Sequence, residues 1–175
     1  MGPREAKPIA LIGLMGAGKS AVAARIGERL GASVADLDTM IEAEQGCSIA
    51  ELFEREGERA FRRRESELLE RVLRAGVRVL ACGGGIVLDP AHRARLRERC
   101  DVVWLEVSPA EAARRVAAQM AARPLLRGHD AESRLAALLE ERRALYGAAA
   151  PWRVATDGKS ADQVADAVLA AVRPE

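Results

Sequence analysis

Apolar residues along this chain recur in two alternating rhythms. Short, mostly apolar runs at 8–12, 77–82 and 101–107 have the length and composition of strands in a buried sheet. Between them, apolar side chains return every three or four residues, the spacing of one face of a helix. Val22, Ile26 and Leu30 mark the first helix, and Phe61, Leu68, Val72 and Leu73 mark a long one over 58–74. Leu135, Leu138, Leu139, Leu145 and Tyr146 mark another over 132–146. Shorter strands are expected at 33–37 and 152–155, with a short helix at 39–44 that stops at Gly46. Ser48, Ser108 and Ser160 each precede a Glu or Gln by three residues, the pattern of a capping box. Asp89-Pro90 pairs a capping aspartate with a proline suited to the first helical position. Strand alternates with helix throughout, without repeat or linker. This implies one α/β domain over residues 1–175, a parallel sheet with helices on both faces.

The first strand runs into Gly13-Leu14-Met15-Gly16-Ala17-Gly18-Lys19-Ser20, which fits the phosphate-binding pattern G-x-x-x-x-G-K-[ST]. Glycines there let the backbone wrap tightly and aim several N–H groups at a polyphosphate. The helix that follows adds a field favourable to negative charge. Lys19 brings a cation to the outer phosphates, and the Ser20 hydroxyl can ligate Mg²⁺.

Composition narrows the partners. With 27 basic and 26 acidic residues the net charge is +1, which gives no general attraction to nucleic acid or anionic membrane. Aromatics are only 3%, too few for base-stacking platforms. Cys47, Cys82 and Cys100 form neither a disulfide framework nor a zinc motif, as expected in a reducing cytoplasm. No apolar stretch approaches the roughly 20 residues of a spanning helix. A leader cleaved after the apolar run at 9–15 would destroy the phosphate loop.

Beyond the loop the candidate chemistry is scattered. Asp36 and Asp38 point the same way if the chain is extended there. Beside a phosphate loop they can hold Mg²⁺ through water, or accept the hydrogen bond or proton of a substrate hydroxyl. Asp38 can equally be the cap of a helix beginning at Thr39. Arg62-Arg63-Arg64 is a basic cluster with Glu65 placed to steady Arg62, although such runs are more often solvated faces. Gly83-Gly84-Gly85 ends a strand and lets a bound molecule approach the backbone closely. The segment 121–130 carries Arg123-Pro124 and Arg127-Gly128 and interrupts the helical pattern, as a closing lid or a surface loop would. Arg142 sits in the apolar stripe of the helix 132–146, so it either meets an anionic ligand or snorkels from the stripe's edge. Arg143 turns toward Glu140 and solvent.

In order and spacing, the phosphate loop, Asp36-Leu37-Asp38, Phe61 through Glu65, the glycine triplet, Arg123-Pro124-Leu125-Leu126 and Arg142 through Tyr146 resemble a shikimate kinase. The resemblance runs from about Ile9 to Ala171. It implies a P-loop NTPase fold of the nucleoside-monophosphate-kinase-like kind, with a five-stranded parallel sheet in the order 2-3-1-4-5 and a mobile lid near 117–130. It implies ATP-dependent phosphorylation of shikimate in aromatic amino-acid biosynthesis, in a cytoplasmic monomer whose partners are small molecules. By the same resemblance Lys19, Asp38 and Arg123 are catalytic, and the nucleotide meets Gly13, Gly16, Ala17, Gly18, Lys19, Ser20, Ala21, Arg115 and Arg123. Asp38, Arg62, Gly83, Gly84, Gly85 and Arg142 bind shikimate, and Mg²⁺ is held by Ser20 and, through water, by Asp36. Two departures stand out. Ala21 replaces a frequent threonine, and the adenine wall opposite Arg115, often proline, falls near Ala161. Another small-molecule kinase, such as a gluconate kinase, and a non-catalytic nucleotide-binding module remain as alternatives.

Overall fold

The computed structural model describes residues 7–120 and 131–173. The elements follow in the order β1 (Ile9–Ile12), α1 (Lys19–Leu30), β2 (Val34–Asp36), α2 (Leu37–Gln45), α3 (Ile49–Arg74) and β3 (Val79–Ala81). After a 3₁₀ turn at Ile86–Leu88 come α4 (Pro90–Arg99), β4 (Asp101–Glu106), α5 (Pro109–Met120), α6 (Ala131–Ala149), β5 (Trp152–Ala155) and α7 (Ala161–Val172). All strand pairs are parallel, and the five strands lie in the order β2-β3-β1-β4-β5. This is the topology expected from the sequence. Every residue of β1 is fully buried, because the central strand of a parallel sheet is covered on both faces.

Register explains why the site forms where it does. Ala81 of β3 lies opposite Leu11 of β1 on one side and Asp36 of β2 on the other. The three chains therefore leave the sheet side by side, at the carboxyl ends where ligands of such sheets collect. β1 releases the phosphate loop, β3 the glycine triplet, and β2 ends at Asp36. Trp104 of β4 pairs with Ile12 in the neighbouring row and stacks on Tyr146 of α6, with ring centroids 5.6 Å apart.

Several local expectations need correction. β2 is shorter than 33–37 because the helix begins earlier: the Asp36 side chain accepts from the Thr39 N–H and caps α2. Asp36, not Asp38, is the cap, and Asp38 occupies the helix's first turn. The two aspartates therefore do not share one face of an extended strand. The strand expected at 77–82 is confined to Val79–Ala81, and α6 runs beyond both expected ends. Gly57 breaks α3 with φ 81° and ψ 169°, which is where the sequence began the long helix. Capping boxes form at Ser48 and Ser160. At Ser108 only half of one does. Its hydroxyl accepts from the Glu111 N–H, while the Glu111 carboxylate is taken by Arg114 and Arg115. The Ser108 N–H turns to Asp157 instead. Among the described residues no helix is long and apolar enough to cross a membrane.

Candidate active site

The phosphate loop owes its shape to glycine at three positions. Gly13, Gly16 and Gly18 have φ of 142°, 80° and 85°, which side chains rarely adopt. A Cβ would also lie 2.4 Å from the Leu105 carbonyl oxygen at Gly13 and 2.8 Å from that of Ala112 at Gly16. The Ala17 N–H closes a turn on the Leu14 carbonyl at 3.2 Å. Gly18 stands at the N-cap of α1 and has no side chain to cap it, so the first-turn N–H groups remain available to an anion.

Lys19 Nζ donates to the carbonyls of Gly13 and Leu14 at 2.8 and 2.9 Å. Burial lowers its pKa, and the Asp38 carboxylate opposes that shift most strongly. The Ser20 hydroxyl donates to Asp36. The aspartate that caps α2 thus also reaches the residue expected to meet a metal. Arg115 is fixed beside the loop: its guanidinium donates to the Gly16 carbonyl at 3.3 Å and to the Thr156 carbonyl at 2.8 Å. Glu111 accepts its Nε at 2.7 Å, and hydrogen bonds from Arg114 and then Arg115 hold that carboxyl down at about 2. Ala21 lines the cavity that opens beside the loop. Arg123 and the lid segment 121–130 lie outside the described residues. Positions 117–120, also expected in the lid, belong to the last turn of α5.

From the phosphate loop a cavity of about 500 Å³ opens toward α2, α3 and α6. Its far wall is the glycine triplet, two of whose members make room for a side chain. A Cβ at Gly83 would lie 2.6 Å from Asp38 Oδ1, and one at Gly85 would lie 2.3 Å from Arg62 Nη2. At Gly84 it would lie 3.7 Å from Arg142 Nη1 and 3.6 Å from the Met15 nitrogen. Two guanidinium groups and one carboxylate thus converge on a three-residue stretch of backbone.

Arg62 is steadied as its sequence position suggested. It contacts Glu65 at 2.8 Å and Glu58 at 3.3 Å, and it lies over the Phe61 ring at 5.1 Å. Of its neighbours, Arg63 is exposed and Arg64 pairs with Glu56, so only Arg62 of the cluster reaches the cavity. Arg142 also lines it, and no described group accepts from its Nε. Arg143 faces Glu106 and Glu140 instead. Burial raises the pKa of Asp38 against the pull of Lys19. It raises that of Glu65 against the hydrogen bond and charge of Arg62.

Two features of the wall were not singled out from the sequence. Glu65 has a role of its own: it is fully buried, it lines the cavity, and its Oε1 finds no hydrogen-bond partner among the described residues. Phe53 and Phe61 pack at 4.8 Å and form an apolar side of the cavity. They are the only two phenylalanines in the chain, a scarcity that could have marked them. Cys82 lines the cavity and Cys100 is buried in the core, while Cys47 is half-buried; all three are free thiols.

Comparison with known proteins agrees with this geometry. The family model described as shikimate kinase matches residues 15–173. A shikimate kinase of Synechococcus sp. (strain RCC307) is 42% identical over 159 residues, 91% of this chain and 80% of the relative. One from Symbiobacterium thermophilum is 41% identical over 162 residues, covering 92% and 93% of the two chains. The structure of shikimate kinase from Acinetobacter baumannii in complex with shikimate superposes with a TM-score of 0.87 at 34% identity, covering 96% of this chain and 93% of that one. With the order of its strands, its paired glycine loops and these relatives in agreement, the chain belongs to the shikimate kinase family.

Proposed function

We propose that this cavity carries out the family's reaction with a strict division between a donor side and an acceptor side. The protein is an ATP-dependent kinase that phosphorylates shikimate to shikimate 3-phosphate, a step of aromatic amino-acid biosynthesis. The phosphate loop, through Gly13, Gly16, Ala17, Gly18 and Ala21, together with the N-terminus of α1, binds the triphosphate. Lys19 exchanges the carbonyls of Gly13 and Leu14 for the outer phosphate oxygens, and its charge offsets the charge that moves with the phosphoryl group. Arg115, held by Thr156 and Glu111, borders the nucleotide's base.

Ser20 and Asp36 would hold Mg²⁺. Among the described residues no cluster of three or more ligating side chains exists. One hydroxyl and one carboxylate in direct contact suit an ion that takes its remaining oxygens from phosphates and water. Bound there, the metal supplies positive charge at the phosphates. On the acceptor side, Arg62 and Arg142 grip the carboxylate of shikimate against Gly83, Gly84 and Gly85. Asp38 orients the attacking hydroxyl and takes its proton, and its raised pKa makes it a stronger base than an exposed aspartate.

The observation that carries this reading is the convergence of Arg62 and Arg142, from separate helices, on a glycine wall that also contacts Asp38 beside the phosphate loop. The protein would act as a monomer in the cytoplasm, as its resemblance to the family implies. Incubation with ATP, Mg²⁺ and either shikimate or gluconate tests the reaction. Equal amounts of ADP and shikimate 3-phosphate are expected. Phosphorylated gluconate with unchanged shikimate would overturn it.

A further inference from the structure

Tyr146 is fully buried and stands first by volume among such side chains, yet it forms no part of the cavity wall. Its hydroxyl donates to the Gly84 carbonyl oxygen at 2.6 Å. Arg142, four residues earlier on α6, stands beside both groups: its Nη1 lies 3.7 Å from where a Cβ of Gly84 would be, and its charge at the phenol opposes the rise that burial imposes on the tyrosine's pKa. The ring cannot swing away, because Trp104 stacks on it with an interplanar angle of 27°. Trp104 in turn packs beneath the phosphate loop, its Cδ1 3.4 Å from where a Cβ of Gly13 would stand.

Gly84 needs such a restraint. It has a glycine on each side, so this stretch has the greatest backbone freedom in the cavity. A buried carbonyl without a donor is costly, and a glycine peptide can rotate to relieve it. With the Gly84 carbonyl held toward α6, the planar trans peptide turns the Gly85 N–H away from the tyrosine. The same anchored glycine lies 3.5 Å, by its would-be Cβ, from the Gly13 carbonyl oxygen. It is therefore the point where donor loop and acceptor wall touch.

We propose that Tyr146 is a positioning residue for the acceptor: its hydroxyl locks the Gly84 peptide and the Arg142 guanidinium to each other and so sets the geometry of the carboxylate clamp. The inference rests on the reading that Arg142 and the glycine wall hold that carboxylate. Tyr146→Phe tests it, because phenylalanine keeps the ring, the volume and the stack on Trp104 while removing only the hydroxyl. The KM for shikimate is expected to rise about tenfold. The kcat and the KM for ATP are expected to change by less than about threefold. In an Arg142→Ala background, the same removal is expected to cost less than about threefold, since one partner of the lock is already gone.

An unchanged KM for shikimate in Tyr146→Phe, beside a large loss in Arg142→Ala, would overturn this inference alone. So would the full tenfold effect in the Arg142→Ala background. A joint fall of kcat, both affinities and the thermal midpoint would assign the tyrosine a merely structural role and overturn it as well. If Arg142→Ala itself left the KM for shikimate unchanged, the clamp would fail and the inference with it.

Discussion

Across the cavity two glycine-rich loops face each other, and they use the same residue for different physical ends. In the phosphate loop Gly13, Gly16 and Gly18 hold positive φ, and two of them also pass within contact of carbonyl oxygens of neighbouring backbone. In the wall loop none of Gly83, Gly84 and Gly85 has positive φ. What a Cβ would strike at Gly83 and Gly85 is a side chain brought from elsewhere, Asp38 from α2 or Arg62 from α3, while at Gly84 it would stand in ordinary contact with the phosphate-loop backbone and with Arg142 of α6. The first loop is a backbone device, complete within one contiguous stretch. The second is a space-making device whose purpose lies in its partners. On the proposed reading, recognition of the donor is local and built on N–H groups, while recognition of the acceptor is assembled from side chains far apart in sequence.

The largest effect should come from Lys19, the cation that the donor loop contributes to the site. Lys19→Met is expected to lower kcat by about a thousandfold or more. Binding of shikimate alone, measured calorimetrically, is expected to survive, since the acceptor wall is untouched. Next comes the wall's strongest anchor. A planar guanidinium grips a carboxylate through two parallel hydrogen bonds, which an ammonium cannot reproduce. Arg142→Lys is therefore expected to cost about 30- to 1,000-fold in kcat/KM for shikimate although it keeps the charge.

A paired substitution addresses the two loops directly. Gly85→Ala would drive a methyl group into the Arg62 guanidinium, so the KM for shikimate is expected to rise about tenfold with the KM for ATP unaltered. Gly16→Ala meets both a positive φ and the Ala112 backbone. It is expected to weaken ATP and to lower stability by about 1–2 kcal/mol. If both variants changed the same Michaelis constant, the two loops would not be separable in the way described.

The smallest effect is read without substitution, as a shift in the wild-type pH profile. In the proposed mechanism Asp38 acts as an ionised carboxylate, and burial holds its pKa above the ordinary aspartate value. As pH falls through that raised value the group protonates, so the acid limb of kcat/KM is expected at higher pH than an exposed aspartate would give. Asp38→Asn is expected to abolish that limb along with most of kcat. Stability should run the other way. Asp38 and Glu65 bind protons more tightly folded than unfolded, so they subtract stability as pH rises from the ordinary carboxylate values through the raised ones.

This contrast also explains what could be read from the sequence. The alternation of strand and helix, the phosphate loop and the helix carrying Arg142 on its apolar side are local patterns, and each is where the periodicity put it, whereas the strand order was implied only by the family resemblance. Asp36 and Asp38 were harder, because whether a strand continues or a helix is capped depends on a difference of one or two residues. The chain chose the cap, and Asp36 took it. Glu65 was read as a brace for Arg62, which it is. That its Oε1 is buried at the cavity wall without a partner among the described residues became visible only once the helices were packed. The bond from Tyr146 to Gly84 has no sequence signature at all, since an aromatic residue on an apolar helix face reads as core. At Ser108 the capping pattern misled, because two arginines compete for the same glutamate more strongly than an N–H does.

The central claim is that the acceptor side selects a carboxylate by converging arginines, and one comparison tests it most directly. Wild-type protein and Arg142→Ala are each given shikimate and an analogue whose carboxylate is reduced to an alcohol, and kcat/KM is measured for all four combinations. Wild type is expected to favour shikimate by about 30-fold or more, and Arg142→Ala to lose most of that preference. Equal turnover of the two compounds by wild type would contradict the claim.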